Sequence, residues 1–271
     1  MSTKIKVAIA GASGVTGTSV ANALLAALEK FEVTALARPA SVGKREYVEL
    51  AERGVIITPV ELHESDELVQ VLTGQYKEEV LSYIKKLYLP YTAIDVGWWY
   101  QLSFPPLPSG RFKAKFEYSI VEVVGDGNQP WAVTDNRDIG KYVTKIIADP
   151  RTLNKMVLCH NQIWSQNEAL KLLERMSGES VPRVYQVTKE ELESNISECE
   201  AEMAKSNQTD MLKLGMSQYK NLLGIRGDNT PEKAKYLGYL DAKELYPEIE
   251  AIPLESYIKD MLDGKLKAPY S

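Results

Sequence analysis

The sequence predicts an α/β protein built on a doubly wound parallel sheet, and three observations predict it. An apolar, β-branched run (Ile5, Val7, Ile9) feeds directly into glycines at 11, 14 and 17, and a helical pattern (Val20, Ala23, Leu24, Ala27, Leu28) follows. Strand and helix patterns then alternate as far as Leu72. The C-terminal part is mostly helical and carries two capping boxes, Ser165 with Glu168 and Thr188 with Glu191.

Each element has a local reason. Phe31 to Ala37 reads as a second buried strand, and Ser41 to Arg53 as a helix stopped by Gly54. Val55 to Val60 is a short third strand, and Ser65 opens a helix to about Leu72 with Asp66 and Glu67 in its first turn. There the alternation breaks. Gly74 is followed at once by a helix from Tyr76 to Tyr88 and a strand from Tyr91 to Val96. In a doubly wound sheet of order 3-2-1-4-5-6 the fourth strand lies beside the first, and nothing between Val60 and Tyr91 supplies it. A strand–helix–strand piece is therefore expected to be missing after about residue 74, roughly 40–60 residues at about 30 or more per such unit. Its loss would expose the edge of the most buried strand.

Beyond Val96 the proline-rich stretch from Phe104 to Gly110 leaves the sheet. Ile120 to Val124, Trp131 to Thr134 and Lys155 to Cys159 read as strands, Asp138 as the N-cap of a helix reaching Ile147, and Leu254 to Leu262 as the last helix. The expected division is a Rossmann-type nucleotide-binding domain over residues 1–103 and 122–150 and a smaller, mostly helical substrate-binding domain over 104–121 and 151–271.

Composition narrows the function classes. A chain of 271 residues can bury a large core. A net charge of −5 without a long basic run argues against nucleic acid. Cys159 and Cys199, like His63 and His160, stand at no metal-ligand spacing, so no metal and no disulfide framework is expected. The first strand begins by Ile5, leaving no room for a signal peptide, and no apolar run approaches the roughly 18 residues of a membrane span. The expectation is a cytoplasmic protein with no membrane partner.

The glycine turn carries the chemistry. Strand, glycine-rich turn and helix present backbone N–H groups and a helix N-terminus to a phosphate. Here the spacing is G-x-x-G-x-x-G, so Gly11, Gly14, Val15 and Gly17 form the loop, with Ser13 and Thr16 as hydroxyl donors. The end of the second strand reports the choice of dinucleotide. An acid there binds a ribose 2′-OH, whereas an arginine suits a 2′-phosphate. Leu36-Ala37-Arg38-Pro39 has no acid, so Arg38, seconded by Lys44, points to NADP(H). Lys77 opens the helix before the Tyr91 to Val96 strand, at the sheet edge where ligands bind, in place to hold a ribose hydroxyl or move a proton. Trp98, Trp99 and Tyr100 follow that strand and are candidates to wall an apolar or aromatic pocket. Arg226-Gly227-Asp228 reads as an ordinary loop.

These residues together resemble the NmrA-like family of atypical short-chain dehydrogenases, which includes the isoflavone and phenylcoumaran benzylic ether reductases. VAIAGASGVTG resembles the family's NADP glycine motif, LARP its 2′-phosphate loop, and KEEVLSYIKKLYLPYTAIDVGWWYQ its helix and sixth strand. EVVGDGNQPWAVTDNRDIGKYV, TLNKMVLCHNQIWSQNEAL and GDNTPEKAKYLGYLDAKELYP resemble later segments. The resemblance implies that Lys77 is the catalytic or cofactor-ribose lysine. It also implies an NADPH-dependent reductase of a small aromatic or polyketide-like metabolite, with a homodimer as the expected assembly. Two further readings remain at this point: a non-catalytic NADP(H)-binding redox sensor acting on a protein partner, and an isomerase or cyclase on the same fold.

Overall fold

The computed structural model describes residues 3–61, 77–113, 120–181, 186–206 and 210–266. They form two compact units, Met1–Ile94 with Ile139–Val157, and Asp95–Asp138 with Leu158–Ser271.

The first unit opens with three parallel strands, β1 (Ile5–Ala10), β2 (Phe31–Ala37) and β3 (Ile56–Pro59), in the order β1-β2-β3. Ile5 stands opposite Phe31 and Ala10 opposite Leu36, and the β2–β3 ladder runs from Thr34 opposite Ile56 to Ala37 opposite Pro59. The crossovers are α1 (Val15–Leu25) and α2 (Arg45–Glu52). In β2, Phe31, Val33, Ala35 and Ala37 are buried while Glu32 is exposed, the period-2 signature of a strand with one covered face. Leu24 of α1 and Tyr47 and Leu50 of α2 bury into that face with Ile9. The helix expected from Ser41 begins only at Arg45, because Pro39 starts a separate 3₁₀ turn, Pro39–Ser41, in which its fixed φ is at home.

Among the described residues β1 pairs only with β2. Ile5 is 41% exposed, and Lys6, Ala8 and Ala10 are exposed as well. The helix expected at Ser65 to Leu72, and the break after residue 74, lie outside the described residues. The next element is α3 (Lys77–Lys86), followed by β4 (Thr92–Asp95). β4 joins a different sheet, beside β8 (Lys155–Leu158). Helix α4 (Ile139–Ile146) packs along α1 in the same unit, and its first residues come so close that a Cβ on Gly140 would stand 2.1 Å from the Ser19 carbonyl oxygen. The Gly140 N–H donates to Ser19 Oγ at 3.0 Å.

The second unit contains two more small sheets. β5 (Trp98–Trp99) runs parallel to β7 (Pro130–Thr134), which pairs antiparallel with β9 (Gln162–Ser165). β6 (Val123–Val124) pairs parallel with β10 (Gln186–Val187). Helices α5 (Gln166–Ser177), α6 (Lys189–Ser206), α7 (Met211–Lys220), α8 (Pro231–Tyr236), α9 (Ala242–Leu245) and α10 (Leu254–Leu262) make up most of the rest. A π-helical turn, Asn221–Arg226, extends α7. The Arg226-Gly227-Asp228 sequence is closed on itself by a 2.5 Å ion pair between Arg226 and Asp228. No helix of the described residues is long and apolar enough to cross a membrane.

The capping box at α5 forms as its sequence dictates. Ser165 Oγ accepts from the Glu168 N–H at 3.3 Å and the Glu168 carboxylate accepts from the Ser165 N–H at 2.9 Å. Those bonds from Ser165 hold the Glu168 carboxyl below its ordinary range, burial opposing weakly. A carboxylate held low contributes stability that is fully present above its unfolded pKa and lost as pH falls through the depressed one. Ser165→Ala is expected to cost about 1 kcal/mol in urea unfolding at neutral pH, and the difference from the parent should shrink on acidification as Glu168 protonates.

Candidate dinucleotide site

The first unit builds a tight glycine cradle from its backbone. β1 ends at Ala10, and Gly11 takes φ +75°, a left-handed conformation that turns the chain sharply. The Gly14 N–H then donates to the Gly11 carbonyl at 3.0 Å. Gly17, in the first turn of α1, lies against the same carbonyl: a Cβ there would stand 2.0 Å from the Gly11 oxygen and 2.8 Å from Ala12 Cα. A side chain at 17 would therefore drive α1 away from the strand. The fold needs glycine here on steric grounds alone.

The N-terminus of α1 is left open. Its N-cap is Gly14, which has no side chain to accept a hydrogen bond, and its first turn contains no acidic residue. A helix leaves its first N–H groups without intrahelical partners, and they carry about half a positive charge between them. Other helices of the chain close this end with a side chain: Ser165 on α5, Asp210 on α7, Thr230 on α8 and Asp241 on α9. The amides of Val15, Thr16 and Gly17 are thus placed to meet an anion. Ser13 is half-buried and Thr16 exposed at the mouth of the loop. The neighbouring Thr18 hydroxyl is already spent on the Ala12 carbonyl at 3.2 Å.

Arg38 immediately follows β2, and Lys44 is the N-cap of α2; both are exposed. Among the described residues neither forms a salt bridge, whereas the adjacent Arg45 is tied to Glu49 at 2.6 Å. Two uncommitted cations beyond the strand next to β1 fit a phosphate on the ribose of a dinucleotide lying across the cradle. The glycine cradle, the uncapped amides and these cations together fit NADP(H). Lys77 is the first residue of α3, and its side chain lies outside the described residues.

Of the aromatic triplet, two members are committed to the core of the second unit. Tyr100 is fully buried, donates from its hydroxyl to Gln162 Oε1 at 3.0 Å and packs on Tyr257 with ring centroids 5.4 Å apart. Trp98 is buried and packs against Tyr219 at 5.7 Å. Trp99 is only partly buried. Burial pushes the Cys159 thiol up, and Asp95 and Asp241 add to the effect, so this cysteine stays protonated and unreactive. Buried His160 stands 3.7 Å from Asp241. Burial alone would raise the Asp241 carboxyl, but the neighbouring His160 ring and a hydrogen bond from the Lys243 N–H hold it below the ordinary carboxylate range. His63 lies outside the described residues. No cluster of metal-ligating side chains occurs among the described residues.

No family model matches the chain. A curated relative decides the family: the chain is 35% identical over 316 aligned positions to asnovolin J 5′,6′-dehydrogenase of Aspergillus novofumigatus, covering 96% of each protein. The isoflavone reductase-like protein of Olea europaea is 26% identical over 68% of this chain and 56% of its own length. Phenylcoumaran benzylic ether reductase of Betula pendula is 27% identical over 64% and 53%. The chain belongs to the isoflavone reductase-like, NmrA-type family of oxidoreductases. Against these two plant members of the family it spans about half their length. The fold agrees: leucoanthocyanidin reductase of Vitis vinifera, solved with NADPH, superposes with a TM-score of 0.72 at 20% identity, covering 96% of this chain and all of that one. An alignment of 316 positions exceeds the 271 residues of this family member by 45 (316 less 271), so at least that many positions have no residue here.

The polar networks that steady this family member's second unit were not legible as networks in the sequence. Asp135, fully buried, takes a bidentate pair from Arg137 and a bond from Gln101 Nε2 at 3.0 Å, and Arg137 continues to Asp260 at 2.9 Å. The pairing with Asp135 raises the Arg137 guanidinium further above its ordinary value, burial opposing and Asp260 assisting. Buried Asp138, expected only as a helix cap, accepts from Asn161 Nδ2 at 2.6 Å and from the Ile252 N–H at 2.7 Å. The two longest links, Arg137 to Asp260 and Ile252 to Asp138, join residues 123 and 114 positions apart.

Gly17→Ala is expected to abolish NADP⁺ binding in a calorimetric titration. An alanine variant that binds as the parent does would remove the cradle from the account.

Proposed function

We propose that the chain is an NADPH-dependent reductase of a small, aromatic or polyketide-like metabolite. The observation that carries this reading is the uncapped N-terminus of α1 over the Gly11–Gly17 cradle, with uncommitted Arg38 and Lys44 at the end of the neighbouring strand. Support comes from the named activity of the Aspergillus relative, a dehydrogenase aligned along nearly its whole length.

The roles follow from placement. The Val15, Thr16 and Gly17 amides bind the pyrophosphate, with Ser13 and Thr16 hydroxyls as further donors. Arg38, with its planar fork, takes the 2′-phosphate and Lys44 adds a point charge. When bound, NADPH supplies the hydride. Lys77 holds a ribose hydroxyl or gives a proton to the oxygen of the substrate as charge develops there. Trp99, the member of the triplet left partly accessible, offers an aromatic face to the substrate, while Trp98 and Tyr100 brace it from the core. The second unit is assigned the metabolite.

Arg38→Ala is expected to weaken NADPH about 10–100-fold while changing NADH little, since a charge-assisted hydrogen bond is worth about 1.5–3 kcal/mol. Equal losses for both nucleotides would reassign Arg38. Lys77→Met is expected to lower kcat about 10²–10⁴-fold in a 340 nm assay over aromatic ketones, enones and benzylic ethers. Tight NADPH binding with no turnover by the parent across that panel would make the protein a sensor instead.

A further inference from the structure

The geometry points to a second ligand site, a cleft in the second unit that takes a small organic cation with an apolar body, an arylalkylammonium being the simplest member of the class. The cleft shares no residue with the Gly11–Gly17 cradle. The inference does not rest on the NADP(H) reading.

Local sequence shapes the cleft. Thr230 caps α8 by accepting from the Lys233 N–H at 3.3 Å. Helical spacing sets Pro231, Ala234 and Lys235 on one face of α8, and all three line a cavity of about 550 Å³. Gly238, at φ +83°, ends the helix in a left-handed turn, and the Tyr239 N–H donates back to the Ala234 carbonyl at 2.9 Å. The chain then runs through β11 (Leu240–Asp241) into α9, which Asp241 caps by accepting from the Lys243 N–H at 2.8 Å. Leu240 and Leu245, both half-buried, add apolar wall. Backbone and cap bonds thus fix both helices and the turn between them. The volume is that of a small-molecule cleft, about 300–1,000 Å³, in which an apolar lining carries a few convergent polar groups.

Charge decides what fits. Glu232, Asp241 and Glu244 line the cleft with a single lysine, Lys235. That lysine is matched by Glu244 at 3.4 Å. The neighbouring cations are engaged elsewhere: Lys233 with Asp228 at 3.6 Å, and Lys243 with the Asn161 carbonyl at 2.6 Å. Glu232 and Asp241 are therefore the surplus. The second Asp241 oxygen stands 3.7 Å from Nε2 of buried His160, beyond hydrogen-bond reach. A carboxylate has about four acceptor sites, so Asp241 keeps capacity for another donor. A metal ion does not suit the place, because no group of three metal-ligating side chains gathers among the described residues. An ammonium head on a carbon body does. The head donates to Asp241, Glu232 adds its field from the exposed rim, and the body covers Ala234, Leu240 and Leu245.

The test is calorimetric titration of the full chain with 2-phenylethylammonium, with neutral 2-phenylethanol and anionic 3-phenylpropionate as comparators, in the presence and absence of saturating NADP⁺. The ammonium should bind saturably, at least about 10-fold more tightly than either comparator, and equally well with NADP⁺ present. Asp241→Asn keeps an oxygen to cap α9 and should weaken the ammonium at least about 10-fold. Glu232→Gln, at an exposed position that folding does not depend on, should weaken it about 3-fold and carries the comparison if the Asp241 variant fails to fold. In amide NMR spectra the signals of Tyr239 to Leu245 should shift with the same titration curve. Absence of saturable binding, equal binding of the alcohol, unchanged affinity in the folded variants, or displacement of the ammonium by NADP⁺ would each overturn the inference.

Discussion

The near-collision of Gly17 with the Gly11 carbonyl is the constraint on which the site depends. Only where the first turn of α1 can lie directly on the end of β1 does the helix axis point at the space above the strand. A Cβ at Gly17 would fall 2.0 Å from the Gly11 oxygen, so the approach cannot survive any other residue. The same contact leaves the end of the helix open. A helix brought this close, capped by a glycine and free of acids in its first turn, keeps its N–H groups for an external anion. From the opposite side Gly140 lets α4 touch Ser19, again with backbone against backbone, so α1 is held between two glycine contacts within one unit.

That rigidity contrasts with what surrounds β1. A parallel strand is ordinarily buried on both faces and paired on both edges. Here one face is filled by Leu24, Tyr47 and Leu50, while Ile5, Lys6, Ala8 and Ala10 are exposed and one edge has no partner among the described residues. Unpaired, apolar edge strands invite association with other chains.

Much of this was legible because its causes are local. The strand bounds Phe31 to Ala37 and the helix bounds Leu254 to Leu262 follow from apolar periodicity and agree with the structure. The Ser165–Glu168 box forms as read. The tight turn from Gly11 to Gly17 was legible for the same reason, since it forms within a few residues of its own backbone. The two-residue strands β5, β6 and β10 were not fully legible, since they are too short to show a period and are held by partners far along the chain. Nor was the division of the aromatic triplet: three adjacent aromatic residues look alike in sequence, and only packing against Tyr219 and Tyr257 separates Trp98 and Tyr100 from Trp99. The Asp135–Arg137–Asp260 and Asp138–Asn161–Ile252 networks join distant segments and left no pattern to read.

The measurement that bears most directly on the cradle is hydrogen–deuterium exchange at the backbone amides, with and without NADP⁺. If the α1 N-terminus holds the phosphates, the amides of Val15, Thr16 and Gly17 and those around Arg38 to Lys44 gain protection together when the nucleotide is added. Unchanged exchange at Val15 to Gly17 in a sample saturated with NADP⁺, with protection arising elsewhere, would contradict the account.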